Sequence, residues 1–254
     1  STSEARIAIL PLTDAGQAQQ RSERPGRFFA PDWSNDGEQI VYAVESSGGR
    51  YDVLVTEING DEVQRFAVGR SLVAFALSSD GSKLAILRSS EGENTLISGD
   101  LAVYDITSGD KLDEVKGESI IAFFWAPDSE QVAYFMSSFS FNEEQIGSTS
   151  GHAAALIPPT QHENIAIQIA VLRVGSFAPQ TIVSDFQMSE SLFSVVFFFD
   201  QYQRSDTIWS PDSRAIVLSG KPLLGEGGIW IYPVAGEQPQ WIGDGDLAFW
   251  SWHK

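Results

Sequence analysis

A five-residue turn signature recurs along the chain and constrains the fold more than any other feature. Trp33-Ser34-Asn35-Asp36-Gly37, Leu77-Ser78-Ser79-Asp80-Gly81, Trp125-Ala126-Pro127-Asp128-Ser129 and Trp209-Ser210-Pro211-Asp212-Ser213 align without gaps. Each is followed, two residues on, by an apolar stretch beginning at Ile40, Leu84, Val132 or Ile216. A partial fifth copy closes the chain at Phe249-Trp250-Ser251-Trp252. The anchor residues lie 44, 48, 84 and 41 residues apart. Three of these spacings lie near the roughly 40–45 residues of a four-stranded propeller blade.

The signature has a mechanism. Pro presets φ, Asp accepts from nearby backbone N–H groups, and Gly tolerates positive φ, so the segment turns the chain. The aromatic or apolar residue before it ends one strand, and the apolar stretch after it is the return strand of the hairpin. Third strands follow at 52–58, 101–106 and 229–234, each alternating as a strand with two unlike faces does. A Gly-containing turn and an outer strand complete each unit. The expected fold is all-β: a β-propeller of four-stranded antiparallel blades in a single domain over 1–254. The repeat units are about 28–69, 70–117, 118–186 (with an insertion at 137–164) and 206–243, with a further insertion at 187–205. Residues 6–21 and 244–254 are expected to share a last blade, which closes the ring and removes open sheet edges. That makes five blades, or six to eight if residues upstream of Ser1 add more.

With these residues in view, the chain resembles the bacterial TolB-like (WD-like) β-propeller repeat family, whose unit carries Trp-Ser-Pro-Asp-Gly before its second strand. The resemblance runs from about Phe28 to Lys254. It implies an extracytoplasmic binding or assembly module. It is specific for fold and weak for function, because propellers host many unrelated roles.

The doubled interval carries the two insertions. Strands of a blade are antiparallel, so the second-to-third connection and the fourth-to-next-blade connection leave on the same face. Both insertions therefore decorate one face, with the shorter connections 89–99 and 220–228, while the tight Ser-Pro-Asp turns occupy the other. Loops held by a rigid scaffold carry function more often than the scaffold does. The long-loop face is the expected binding surface.

Several residues on that face could contact a partner. The segment Phe197–Arg204 sets a dense aromatic cluster beside Asp200 and Arg204, and Phe198, Asp200, Tyr202 and Arg204 are its candidate binding residues. The competing structural reading has these aromatics plug the channel or anchor the insertion. His152 and His162 share the first insertion with Glu143, Glu144 and Glu163 and are further binding candidates, but their spacing matches no tight zinc pattern. No metal or cofactor is expected. Trp33, Trp125, Trp209 and Trp250 read as interblade core. Asp36, Asp80, Asp128 and Asp212 read as turn caps, and no catalytic residue is assigned.

Composition narrows the partners. The formal charge is -18, which repels nucleic acid backbones and anionic lipid. No apolar run reaches the roughly 20 residues of a membrane span, and the N-terminus lacks a signal-peptide pattern. Cysteine is absent, which excludes disulfides and thiolate metal sites. No Gly-x-Ser-x-Gly elbow occurs and no hydrolase domain follows the repeats, which argues against a prolyl-oligopeptidase reading. The expectation is a non-catalytic scaffold that holds a protein or peptide. The rival is a carbohydrate-active or other hydrolase or lyase propeller, binding a glycan or small molecule at a polar channel mouth.

Overall fold

The computed structural model describes residues 8–9, 19–20, 28–46, 48–70, 72–89, 98–137, 166–176, 178–202 and 207–251. Its strands are arranged as antiparallel meanders. β1 (Ala8–Ile9) pairs with β2 (Gln19–Gln20). β3 (Phe28–Trp33), β4 (Gln39–Ser46), β5 (Arg50–Glu57) and β6 (Glu62–Gly69) form one four-stranded sheet in sequence order. β7 (Leu72–Leu77), β8 (Lys83–Arg88), β9 (Gly99–Asp105) and β10 (Lys111–Trp125) follow, then β11 (Gln131–Ser137), β12 (Ala166–Arg173) and β13 (Gln180–Met188). β14 (Ala215–Lys221), β15 (Gly228–Pro233) and β16 (Gln240–Gly243) come last.

The sheet from β7 to β16 is formally continuous, but two strands serve two blades each. The first part of β10 pairs with β9 through Lys111 to Val115, and its last part pairs with β11 through Ala122 to Trp125. It thus leaves one blade as the outer strand and enters the next as the inner one. β13 pairs along β12, and only Gln187 and Met188 reach β14. The innermost strand before β14 is short, with Trp209 bridged to Ile216 and the Val217 N–H donating to the Ile208 carbonyl.

Period-two alternation assigns each strand's two faces to two different interblade layers. On β8, Leu84 and Ile86 join the layer formed with Val41, Val53 and Val55, while Ala85 and Leu87 join the layer shared with Leu101, Phe123 and Ala133. The core is a stack of apolar layers between blades rather than one central mass. Burying side chains of this size stabilises the fold by about 1.5–3 kcal/mol each relative to exposure.

Each turn signature closes in the same way. The Ser34 N–H donates to the Gln39 carbonyl at 3.0 Å, and the same bond recurs at Ser78, Ala126 and Ser210. The Ser34, Ser78 and Ser210 hydroxyls donate to Asp36, Asp80 and Asp212 at 2.5, 2.7 and 2.6 Å. Ala126 has no hydroxyl, and the Gln131 amide takes its place, donating to Asp128 at 2.8 Å. The carboxylates also accept from backbone two residues on, Asp36 from Glu38 and Asp128 from Glu130.

The tryptophans of successive signatures tie blade to blade. The Trp125 indole donates to the Ala76 carbonyl at 3.1 Å, and that of Trp209 donates to the Phe124 carbonyl at 3.0 Å. Trp209 is only 2% exposed. Trp33 departs from the interblade-core expectation, being 40% exposed. It stands at the end of the first strand of the first four-stranded sheet. Trp250 is half-buried, and its backbone N–H donates to the Thr207 carbonyl.

Candidate functional site

The second insertion is mostly helical. β13 runs on to Met188, and Ser189 then caps α1 (Glu190–Phe197) by accepting from the Leu192 N–H at 3.1 Å. Glu190 lies in the first turn, where an acid complements the helix dipole. Leu192, Val195, Val196 and Phe199 follow a one-face helical spacing, and all are buried, with Phe193 beside them. Phe198 ends the helix, and a short turn, α2 (Phe199–Tyr202), follows.

The pair rests on strands of neighbouring blades. α1 contacts β10, β13 and β14, and α2 contacts β10 and β7. The Phe199 ring lies 5.1 Å from that of Phe123 and 6.1 Å from that of Phe124, both on the innermost part of β10. Phe193 stacks on Phe197 at 5.6 Å, and Phe197 meets Phe198 edge-on at 5.7 Å. The insertion is therefore anchored by apolar packing across the innermost strands of neighbouring blades.

Its other side meets water. Phe198 is half-buried, Asp200 and Gln201 are exposed, and Tyr202 is 39% exposed. Desolvation by neighbouring side chains pushes the Asp200 carboxyl above its ordinary range, against the pull of its own N–H and that of Gln201. Water still reaches the residue, which limits that effect. Arg204, His152 and His162 lie outside the described residues, as do Glu143, Glu144 and Glu163. Of the binding candidates, Phe198, Asp200 and Tyr202 thus sit within five residues, at the end of α1 and along α2.

Sequence reasoning missed the helix and its tether. The helical spacing from Leu192 to Phe199 behind a Ser-Glu start is the signal that could have found it. The tether has no local signal: the Ser189 hydroxyl donates to the Asp246 carbonyl, and the Ser191 hydroxyl donates to the Asp246 carboxylate. Thr207 donates its hydroxyl to the Trp250 carbonyl at 2.7 Å. The segment leaving β16 is thereby fastened to the start of α1.

Stacked four-stranded meanders, a turn signature on one face and a helical insertion across the inner strands of the other define a β-propeller. Neither the protein-family models nor the curated proteins contain a match to this chain. Solved structures do match. The chain is similar to the β-propeller domain of the Trilobed protease from Pyrococcus furiosus, with TM-score 0.53 and 13% identity over 93% of this chain and 62% of that one. It is similar to a prolyl endopeptidase at TM-score 0.50 and 13% identity, covering 87% of this chain and 30% of that one. TolB from Acinetobacter baumannii matches at TM-score 0.45 and 13% identity, over 89% of this chain and 46% of that one. The chain spans less than two thirds of the length of each. At such identities the likeness speaks to the fold, which is a β-propeller. No helix among the described residues is long and apolar enough to cross a membrane.

Proposed function

We propose that the chain is a non-catalytic binding scaffold that holds a protein or peptide partner on its long-loop face, through the insertions 137–164 and 187–205. The observation that carries this reading is the seating of Phe199. Its ring is 3% exposed against Phe123 and Phe124 on the innermost strand, so apolar packing fills the inner side of the insertion while Asp200 and Tyr202 face outward. A polar catalytic funnel needs converging charged groups where this insertion places aromatic rings. The resemblance of the repeats to the TolB-like family supports an extracytoplasmic module, with residues 6–21 and 244–254 closing the ring as a shared blade.

The test is affinity capture of a native partner by surface variants on both faces. Asp200→Ala with Tyr202→Ala should abolish capture, whereas Glu57→Gln with Asn59→Ala, beside the tight turns, should leave it intact. Loss confined to the tight-turn variants, or turnover of a glycan by the purified protein, would sink the reading.

A further inference from the structure

The long-loop end of β15 and β16 carries large apolar side chains that remain open to water. Leu223 is 69% exposed, Leu224 89% and Trp241 42%. Two observations set Trp241 beside the connection that carries the leucines. The Trp241 indole donates to the Gly227 carbonyl at 3.3 Å, and Ile229 pairs with Gly243, so β16 lies against the 222–227 connection. Large side chains in a contiguous exposed group on a soluble fold mark interaction surfaces.

This connection is held in place. The Trp230 indole donates to the Glu226 carbonyl at 3.0 Å, so two neighbouring strands each clamp it with an indole. A Cβ at Gly225 would stand 2.9 Å from the Trp230 ring, and one at Gly228 would stand 2.4 Å from the Gly243 carbonyl oxygen. Both glycines allow that close approach. The leucines are therefore presented outward by a supported loop, which reduces the ordering cost of binding. The rim is acidic: Glu226, Asp244 and Asp246 are all exposed, with Lys221 the one base from 221 to 247.

We infer that this patch docks a cationic segment of a partner protein, whose apolar side chains cover Leu223, Leu224 and Trp241 while its Lys or Arg residues meet Glu226, Asp244 and Asp246. The occupant's sign follows from charge complementarity with that rim and with a chain of charge -18. The inference rests on the scaffold reading above and supplies its partner chemistry.

The test titrates the whole chain with three synthetic peptides of equal length, alternating Lys/Leu, Lys/Ser and Glu/Leu. Lys/Leu should bind, and the other two should bind at least about tenfold more weakly. Leu223→Ser with Leu224→Ser should cost the Lys/Leu peptide at least about tenfold while leaving net charge, and hence non-specific attraction, unchanged. Glu226→Gln with Asp244→Asn should weaken binding more than the equally charged pair Glu57→Gln with Asp61→Asn on the opposite face. Equal binding by the leucine variant, or equal binding of the Lys/Ser or Glu/Leu peptide, overturns the inference. So does a wild-type dimer in sedimentation that Leu224→Ser dissociates, because the occupant would then be a second copy of the chain. If the peptides fail while native capture still depends on Asp200 and Tyr202, this inference falls and the scaffold reading stands.

Discussion

Ser129 and Ser213 adopt φ of 60° and 59°, at the turn position where the two earlier repeats have Gly37 and Gly81. A side chain in that region is strained by about 1–2 kcal/mol. Each hydroxyl compensates by accepting a backbone N–H from the previous blade's turn, Asp80 at 2.9 Å and Asp128 at 3.0 Å. Both serines are buried. Ser129→Ala keeps the strain and strands the Asp80 N–H, so it should destabilise by about 1–3 kcal/mol. Ser129→Gly loses the same bond but relieves the backbone and should cost less. Urea unfolding of both variants decides it, and a Gly variant no more stable than the Ala variant would refute the latch.

The capping carboxylates make a second residue-scale prediction. The Ser210 hydroxyl, with the Arg214 N–H, holds Asp212 below its ordinary 3.8, and the Ser34 hydroxyl does the same for Asp36. At Asp80 desolvation pushes upward, but the Ser82 N–H and the Ser78 and Ser82 hydroxyls outweigh it. A carboxyl whose pKa is depressed by folding contributes stability that is present above its unfolded value and lost as pH falls through the folded one. Thermal stability should therefore decline below about pH 4. Asp212→Asn should narrow the gap in Tm between pH 7 and pH 3, and an unchanged gap would count against these caps.

Among the elements, α1 combines a local signal with a tertiary role. Its cap and its apolar spacing are legible in Ser189 to Phe199. The partners of the insertion are not, because Phe123 and Phe124 lie 76 and 75 residues before Phe199. Ser189→Ala removes the cap and the bond to Asp246 and should cost about 1 kcal/mol. Phe199→Ala removes a ring from a closed apolar site and should cost about 3–5 kcal/mol. Gln201→Ala, on the exposed side, should stay within about 0.5 kcal/mol. Denaturant midpoints for the three variants test whether the insertion is part of the core; a Phe199 effect as small as that of Gln201 would show that it is not.

At the scale of the whole molecule, two features compete. The charge of -18 repels itself. Of the ion pairs that oppose it, Arg65 with Glu62 is exposed on both sides and contributes little, while Glu114 is mostly covered and pairs with Arg88, Lys111 and Lys116. Added salt screens exposed charges within a Debye length of about 8 Å at physiological strength. Raising sodium chloride should therefore raise Tm, and a fall would mean that attractive pairs dominate. Blade-to-blade bonds make the stack cooperative. Trp209→Phe keeps most of the apolar volume but leaves the Phe124 carbonyl without its indole donor, and should cost about 1–3 kcal/mol in a single unfolding transition.

The turn signature, its period and the alternating direction of the strands were determined by the sequence alone. They depend on local chemistry: Asp and Ser bond within five residues of themselves, and antiparallel strands alternate direction whatever surrounds them. Only the tertiary structure decided what those local units meet. The serine latches join turns 49 and 85 residues apart, and the Asp246 tether joins segments 55 residues apart. Whether Trp33 is covered, whether the Phe197–Phe199 cluster packs inward, and whether Leu223 and Leu224 stay in water depend on which surface stands opposite. A residue's type sets what it can bury or bond, but the partner that satisfies it is supplied by distant chain, and only folding brings the two together.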